Sequence, residues 1–86
     1  MKDLIFNHLI NSIESYNNTR CYQVNGELLI DSMKYPHVFA RLGKELGFEI
    51  KILNEPTNDM VLFGEESSGF TYQGQEFGCF AMKVIL

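Results

Sequence analysis

Four side chains in this chain belong to the types that do nucleophilic, acid–base or metal chemistry near neutral pH: His8, Cys21, His37 and Cys79. Nucleophilic catalysis needs a base within hydrogen-bond reach of the nucleophile and a third group to orient that base. Cys21 and Cys79 each fall inside an apolar, strand-like run, where desolvation raises a thiol pKa and makes the sulfur inert. His8 lies beside the apolar stripe of a helical segment. His37 follows Pro36 in a helical first turn, where the dipole disfavours the imidazolium. A structural zinc site draws two ligands from one short segment of the C-x-x-C or H-x-x-x-H kind, and these four residues have no such spacing. The run from Asn54 to Asp59 carries oxygen side chains but lacks the Asp-rich progression, glycine and closing Glu of a calcium loop. The expectation is therefore no metal, no cofactor, no catalytic residue and two buried thiols. Thiol redox chemistry would require Cys21 and Cys79 to be close together and partly exposed.

Hydrogen-bonding groups are denser in the connections. Gly64-Glu65-Glu66-Ser67-Ser68-Gly69 holds two carboxylates and two hydroxyls between glycines, a loop able to bond a sugar or a basic protein surface. Phe63 to Gly69 resembles the sugar-binding loop of the phosphohexomutases, in which a Gly-Glu-Glu-Ser run bonds sugar hydroxyls. The resemblance implies a sugar or sugar-phosphate ligand for Glu65, Glu66, Ser67 and Ser68. It extends no further. That family's phosphoserine, magnesium and phosphate-binding loops have no counterpart here, which excludes mutase activity. Glu55, Asp59 and Glu76 fall in neighbouring connections, and with Glu65 and Glu66 they gather negative charge if those connections share one end of a sheet. An acidic edge of that kind complements an Arg- or Lys-lined groove on a partner, including one that normally receives nucleic acid, and mainly speeds association.

Direct binding of nucleic acid is not expected. Eleven acids against seven bases leave a net charge of −4, and only Arg41 and Lys44 among the bases lie near each other. There is no basic stripe to displace counterions from phosphates. Two cysteines are too few for the disulfide framework of a small secreted domain, and no apolar run approaches the roughly 20 residues that span a bilayer. The chain reads as cytoplasmic, with no membrane partner. Its 86 residues make one domain over 1–86, and a chain of that length buries only about 60–65% of its unfolded surface. A deep, closed substrate cavity would remove side chains that the core needs.

The elements that position these groups follow from periodicity. Ile5, Phe6, Leu9, Ile10, Ile13 and Tyr16 recur at helical spacing, which predicts a helix over 3–16 capped by Asp3 and stopped by Asn17-Asn18. Asn25-Gly26 predicts a two-residue hairpin turn, pairing Val24 with Glu27, Tyr22 with Leu29, Cys21 with Ile30 and Arg20 with Asp31, the last an opposite-charge pair. One face of that hairpin carries Cys21, Leu28 and Ile30, and the other Tyr22, Val24 and Leu29, so each face needs a cover. Pro36 starts a second helix with Val38, Phe39, Leu42 and Leu46 buried, and Gly47 ends it. Strands follow at 48–53 and 60–63, and then a hairpin across Gly74-Gln75 pairs Tyr72 with Phe77 and Phe70 with Cys79.

The predicted fold is α+β, two amphipathic helices packed on a mainly antiparallel sheet in the order α-β-β-α-β-β-β-β. With no complete reaction centre in the sequence, the expected function is that of a small, acidic, non-enzymatic binding protein acting through a protein–protein interface. An inhibitor or modulator of the type encoded by phages and mobile elements fits that size and charge by analogy. Tyr22, Val24 and Leu29 are the candidate face for a homodimer. The alternative is small-ligand recognition by the Gly64–Gly69 loop. It predicts a rise in melting temperature with sugar phosphates, worth about 2.7 kcal/mol at a hundredfold excess over Kd, and a flat response across a ligand panel removes it.

Overall fold

The computed structural model describes residues 2–54 and 70–86, with side chains from residue 4 onward. Its elements are α1 (Lys2–Ile13), β1 (Thr19–Val24), β2 (Glu27–Ser32), α2 (Pro36–Leu46), β3 (Glu49–Ile52), β4 (Phe70–Tyr72), β5 (Gln75–Phe77) and β6 (Phe80–Ile85). The class and element order are those expected. Four strands form an antiparallel sheet in the order β1-β2-β6-β3, and β4 pairs with β5 as a separate two-stranded ribbon.

Local chemistry explains most boundaries. Asn25 and Gly26 both take positive φ, 51° and 78°, as a type I′ turn demands. The two-residue loop then dictates the register, and all four expected pairs are present from Val24↔Glu27 to Arg20↔Asp31. α1 begins at Lys2, so Asp3 sits inside its first turn instead of capping it, and the helix ends at Ile13, earlier than expected. Asn18 at φ 56° completes the reversal into β1. In α2, Pro36 occupies the first turn and Gly47 adopts the left-handed conformation at φ 89°. The amides of Gly47 and Phe48 both donate to the Gly43 carbonyl, at 2.7 and 2.9 Å, which folds Phe48 back into the core.

The last third of the chain departs from the expected pattern in two ways. The β4–β5 turn is Gln73-Gly74, at φ 48° and 83°, so Tyr72 pairs with Gln75 and Phe70 with Phe77. A polar residue followed by glycine suits the two positive φ angles, whereas a Gly74-Gln75 turn would put a side chain at the second position. The run 76–86 is also divided, because Gly78 and Cys79 leave the ladder. Their amides donate to the two carboxylate oxygens of Asp31 at 3.1 and 3.3 Å. Asn54 holds the far side of the break, donating to the Cys79 carbonyl at 2.7 Å and accepting from the Ala81 amide at 2.9 Å. The Asp31 carboxylate is thus spent on backbone, and it forms no ion pair with Arg20 among the described residues. The strand expected at Met60–Phe63 lies outside the described residues.

Three layers result. α1 and α2 cover one face of the sheet, where Phe6, Leu9, Ile13, Phe39 and Phe48 meet Leu28, Ile30, Phe80, Met82 and Val84, and Tyr16 packs edge-on to Phe39 at 5.5 Å. The β4–β5 ribbon covers the other face, where Phe77 buries Leu29 and Ala81 with Tyr22, Val24, Leu53, Phe70 and Tyr72 around them. Gly43 is the tightest point of the helical layer, since a Cβ there would run into the Phe48 carbonyl oxygen. Gly43→Ala therefore tests the close approach. Helix propensity alone favours alanine by about 1 kcal/mol, but the clash with backbone should reverse the sign to a net loss of about 1–2 kcal/mol in urea unfolding. A neutral or stabilising result would show that the last turn of α2 can shift away.

Candidate functional site

Of the residues singled out in the sequence, Glu55, Asp59, Glu65, Glu66, Ser67 and Ser68 lie outside the described residues. Glu76 is on β5, exposed, paired with Thr71 on the outer side of the ribbon. Leu29 is fully buried, and Tyr22 and Val24 are half-buried around it. Within one copy of the chain that face is covered by β4–β5, and Tyr22 meets Phe77 edge-on at 5.9 Å. His8 is exposed on α1, and His37 is exposed with its ring stacked on Tyr35. Cys79 is buried in the main core. The Cys21 thiol is pushed up to about 12, chiefly by burial and further by the charge of Glu14, so at neutral pH it is not a thiolate.

The ribbon is tied down by a polar cluster centred on Glu27, at the first residue of β2. Its carboxylate meets Lys83 Nζ of β6 at 3.0 Å, accepts from Tyr72 Oη at 3.3 Å and accepts from Gln73 Nε2 at 2.9 Å. Asn25 Nδ2 donates to Gln73 Oε1 at 2.6 Å, which links the two type I′ turns directly. The bond to Lys83 is the main reason Glu27 is held below its ordinary 4.5, with Gln73, the charge on Lys83 and Tyr72 adding to it against an opposing desolvation. The same bond raises Lys83 above 10.5.

Two surface depressions bear on function. The first, about 530 Å³, lies where α1 gives way to β1, and Glu14, Asn17, Asn18, Arg20 and Asp31 provide its polar lining. Its acids are already engaged with backbone: Glu14 accepts from the Cys21 amide at 2.9 Å on the outer strand, and Asp31 holds Gly78 and Cys79. This depression is accounted for by strand-edge capping. The second, about 560 Å³, is apolar and runs between the start of α1 and the end of α2, lined by Leu4, Ile5, His8, Leu9, Leu46, Gly47 and Leu86. A smaller hollow beside it shares Gly47 and Leu86 and adds Lys44, Glu49 and Ile85. Leu4 is 69% exposed, Ile5 46%, Ile85 39% and Leu86 57%. These are four of the seven exposed large apolar residues among the described residues, so the exposed apolar surface is concentrated here.

Helical periodicity counted Ile5 among the buried stripe, whereas the core takes Phe6, Leu9 and Ile13 and leaves Leu4 and Ile5 outside. The signal in the sequence was the adjacent pair Leu4-Ile5, which makes the apolar arc of α1 wider than one contact line can cover.

Among the described residues no group of three or more His, Cys, Asp or Glu is placed to hold a metal ion, and no helix is long and apolar enough to cross a membrane. Compared with known proteins, the chain matches no protein-family model, no curated protein and no solved structure.

The Glu27 cluster carries a pH prediction with a definite sign. A carboxyl held below 4.5 contributes stability that is present above 4.5 and is lost as pH falls through the lower, folded-state value. Lys83, raised above 10.5, contributes stability that is lost as pH climbs through its folded-state value. Glu27→Gln should flatten both losses, read as urea midpoints at about pH 7, pH 3 and pH 11. Parallel profiles for variant and wild type would show that the cluster does not hold the ribbon.

Proposed function

We propose that this chain is a small, acidic binding protein that docks another protein at the apolar end formed by Leu4, Ile5, Leu46, Ile85 and Leu86, and that it carries out no reaction of its own. The observation that supports this reading is where the uncovered apolar surface lies. Both faces of the sheet already have their covers, the helices on one side and the ribbon on the other. The exposed leucines and isoleucines are therefore surplus to the core, and they adjoin one another. Their combined area is roughly 400 Å², within the size range at which a patch on a monomer marks an interaction site.

The charge assists without supplying the affinity. A net −4 keeps the chain dispersed and speeds encounter with a basic partner, while the apolar end provides the desolvated centre that holds a complex together. Inhibition or modulation by occupying a partner's surface is the mode of action this suits, and the cytoplasm is its proposed setting, given the sparse cysteines.

Leu4→Glu tests the reading with little risk to the fold, since Leu4 is mostly exposed. With wild type and variant as parallel baits at equal folded concentration, any specific partner should be recovered by wild type and lost, at least tenfold, with the variant. Equal recovery by both would move the binding surface elsewhere.

A further inference from the structure

Resting on that reading, we propose that the partner seated on the apolar end is a second copy of the same chain, related to the first by a twofold axis. A twofold interface requires one patch to be complementary to itself, in shape and in charge. The shape condition is met because the patch carries a hollow and its own projections side by side. Gly47 has no side chain to fill the floor between Leu9 and Leu46, while Leu4 and Leu86 project at the margins. A projecting leucine of one copy has a hollow to enter on the other.

The charge condition is met by the rim. Lys44 and Glu49 both border the hollow next to Leu86, so the margin carries both signs. A rim of one sign would repel its own copy. A rim of both signs lets the twofold set Lys44 of each copy towards acids of the other. Area points the same way. Roughly 400 Å² of apolar surface per copy is about half of the ~800 Å² per partner that a standard interface buries, which is the apolar share such interfaces have. The chain therefore needs only the polar rim around this patch to complete an interface of ordinary composition.

This places self-association away from the Tyr22, Val24 and Leu29 face. That face is occupied within each copy by Phe77 and the ribbon.

The test is the molar mass of the purified chain, by light scattering and sedimentation equilibrium, from about 10 µM to about 1 mM. Wild type should move from 9.9 kDa towards twice that mass as concentration rises. Leu4→Glu should raise the dissociation constant at least tenfold with an unchanged far-UV circular dichroism spectrum. Should that variant lose helical signal, Lys44→Glu, which makes the rim uniformly acidic, decides in its place and should weaken association at low salt. A wild type that stays at 9.9 kDa throughout, or a dimer indifferent to the deciding variant, overturns the proposal. Because this measurement contains no other protein, its failure leaves the docking of a foreign partner at the same end to stand or fall on the paired-bait experiment.

Discussion

The two carboxylate oxygens of Asp31, bonded to the amides of Gly78 and Cys79, make the rest of the architecture possible. Between Phe77 and Phe80 the chain leaves the outer ribbon and enters the centre of the four-stranded sheet, so no continuous ladder can serve it there. Part-buried amides left without acceptors would cost about 1–3 kcal/mol each. Asp31 supplies both acceptors from β2, and Asn54 takes the Cys79 carbonyl and the Ala81 amide from beyond β3. β6 is then delivered between β2 and β3 with its backbone satisfied. Its side chains bury alternately upward and downward: Phe80, Met82 and Val84 to the helices, Ala81 to the ribbon.

A central strand apolar on both faces obliges a chain of this size to build two covers, and the second is the harder one. β4 and β5 have three residues each, too few for a stable hairpin in isolation. The ribbon persists because Phe77 and Phe70 reach the apolar surface around Leu29 and because its turn is tied to the first hairpin's turn through Asn25, Gln73 and Glu27. Lys83 is part of the same solution. It is the one charge in the final run, it stands directly opposite Lys51 across β3–β6, and Glu27 gives it the counter-charge that this position requires.

What could be read from the sequence follows the range of the forces involved. The register of the first hairpin depends on two adjacent residues, Asn25 and Gly26, and the end of α2 depends on Gly47 with Phe48 beside it. Each is a local decision visible in a short window, and each is present as expected. The break at Gly78-Cys79 depends on a carboxylate 47 residues earlier in the chain. Gly78 inside an apolar run was its only local mark, and an isolated strand glycine signals a bulge or break only weakly. The turn at Gln73-Gly74 was misplaced by one residue because Gln is a poor announcer of positive φ beside the glycine that follows it. Ile5 was misassigned for a geometric reason: periodicity gives the direction of a helix's apolar arc but not how wide a surface awaits it. The acidic connections that the sequence made prominent lie outside the described residues, so the site argued from geometry is a different one from the site suggested by charge.

The net charge of −4 is at first sight an argument against any association between copies. Its range decides otherwise. At physiological ionic strength the Debye length is about 8 Å, whereas the chain extends 38 × 27 × 19 Å. Acids at a distance from Leu4 and Leu86 are largely screened from a copy docked there, so the signs that matter are those bordering the hollow, and they include Lys44 as well as Glu49. α1 starts, α2 stops and β6 runs out within this one region, which is why no element of the same copy remains to cover it. A chain that has committed its helices and its ribbon to the two faces of the sheet leaves its end to be closed from outside, and the local balance of charge there permits a copy of itself to do so.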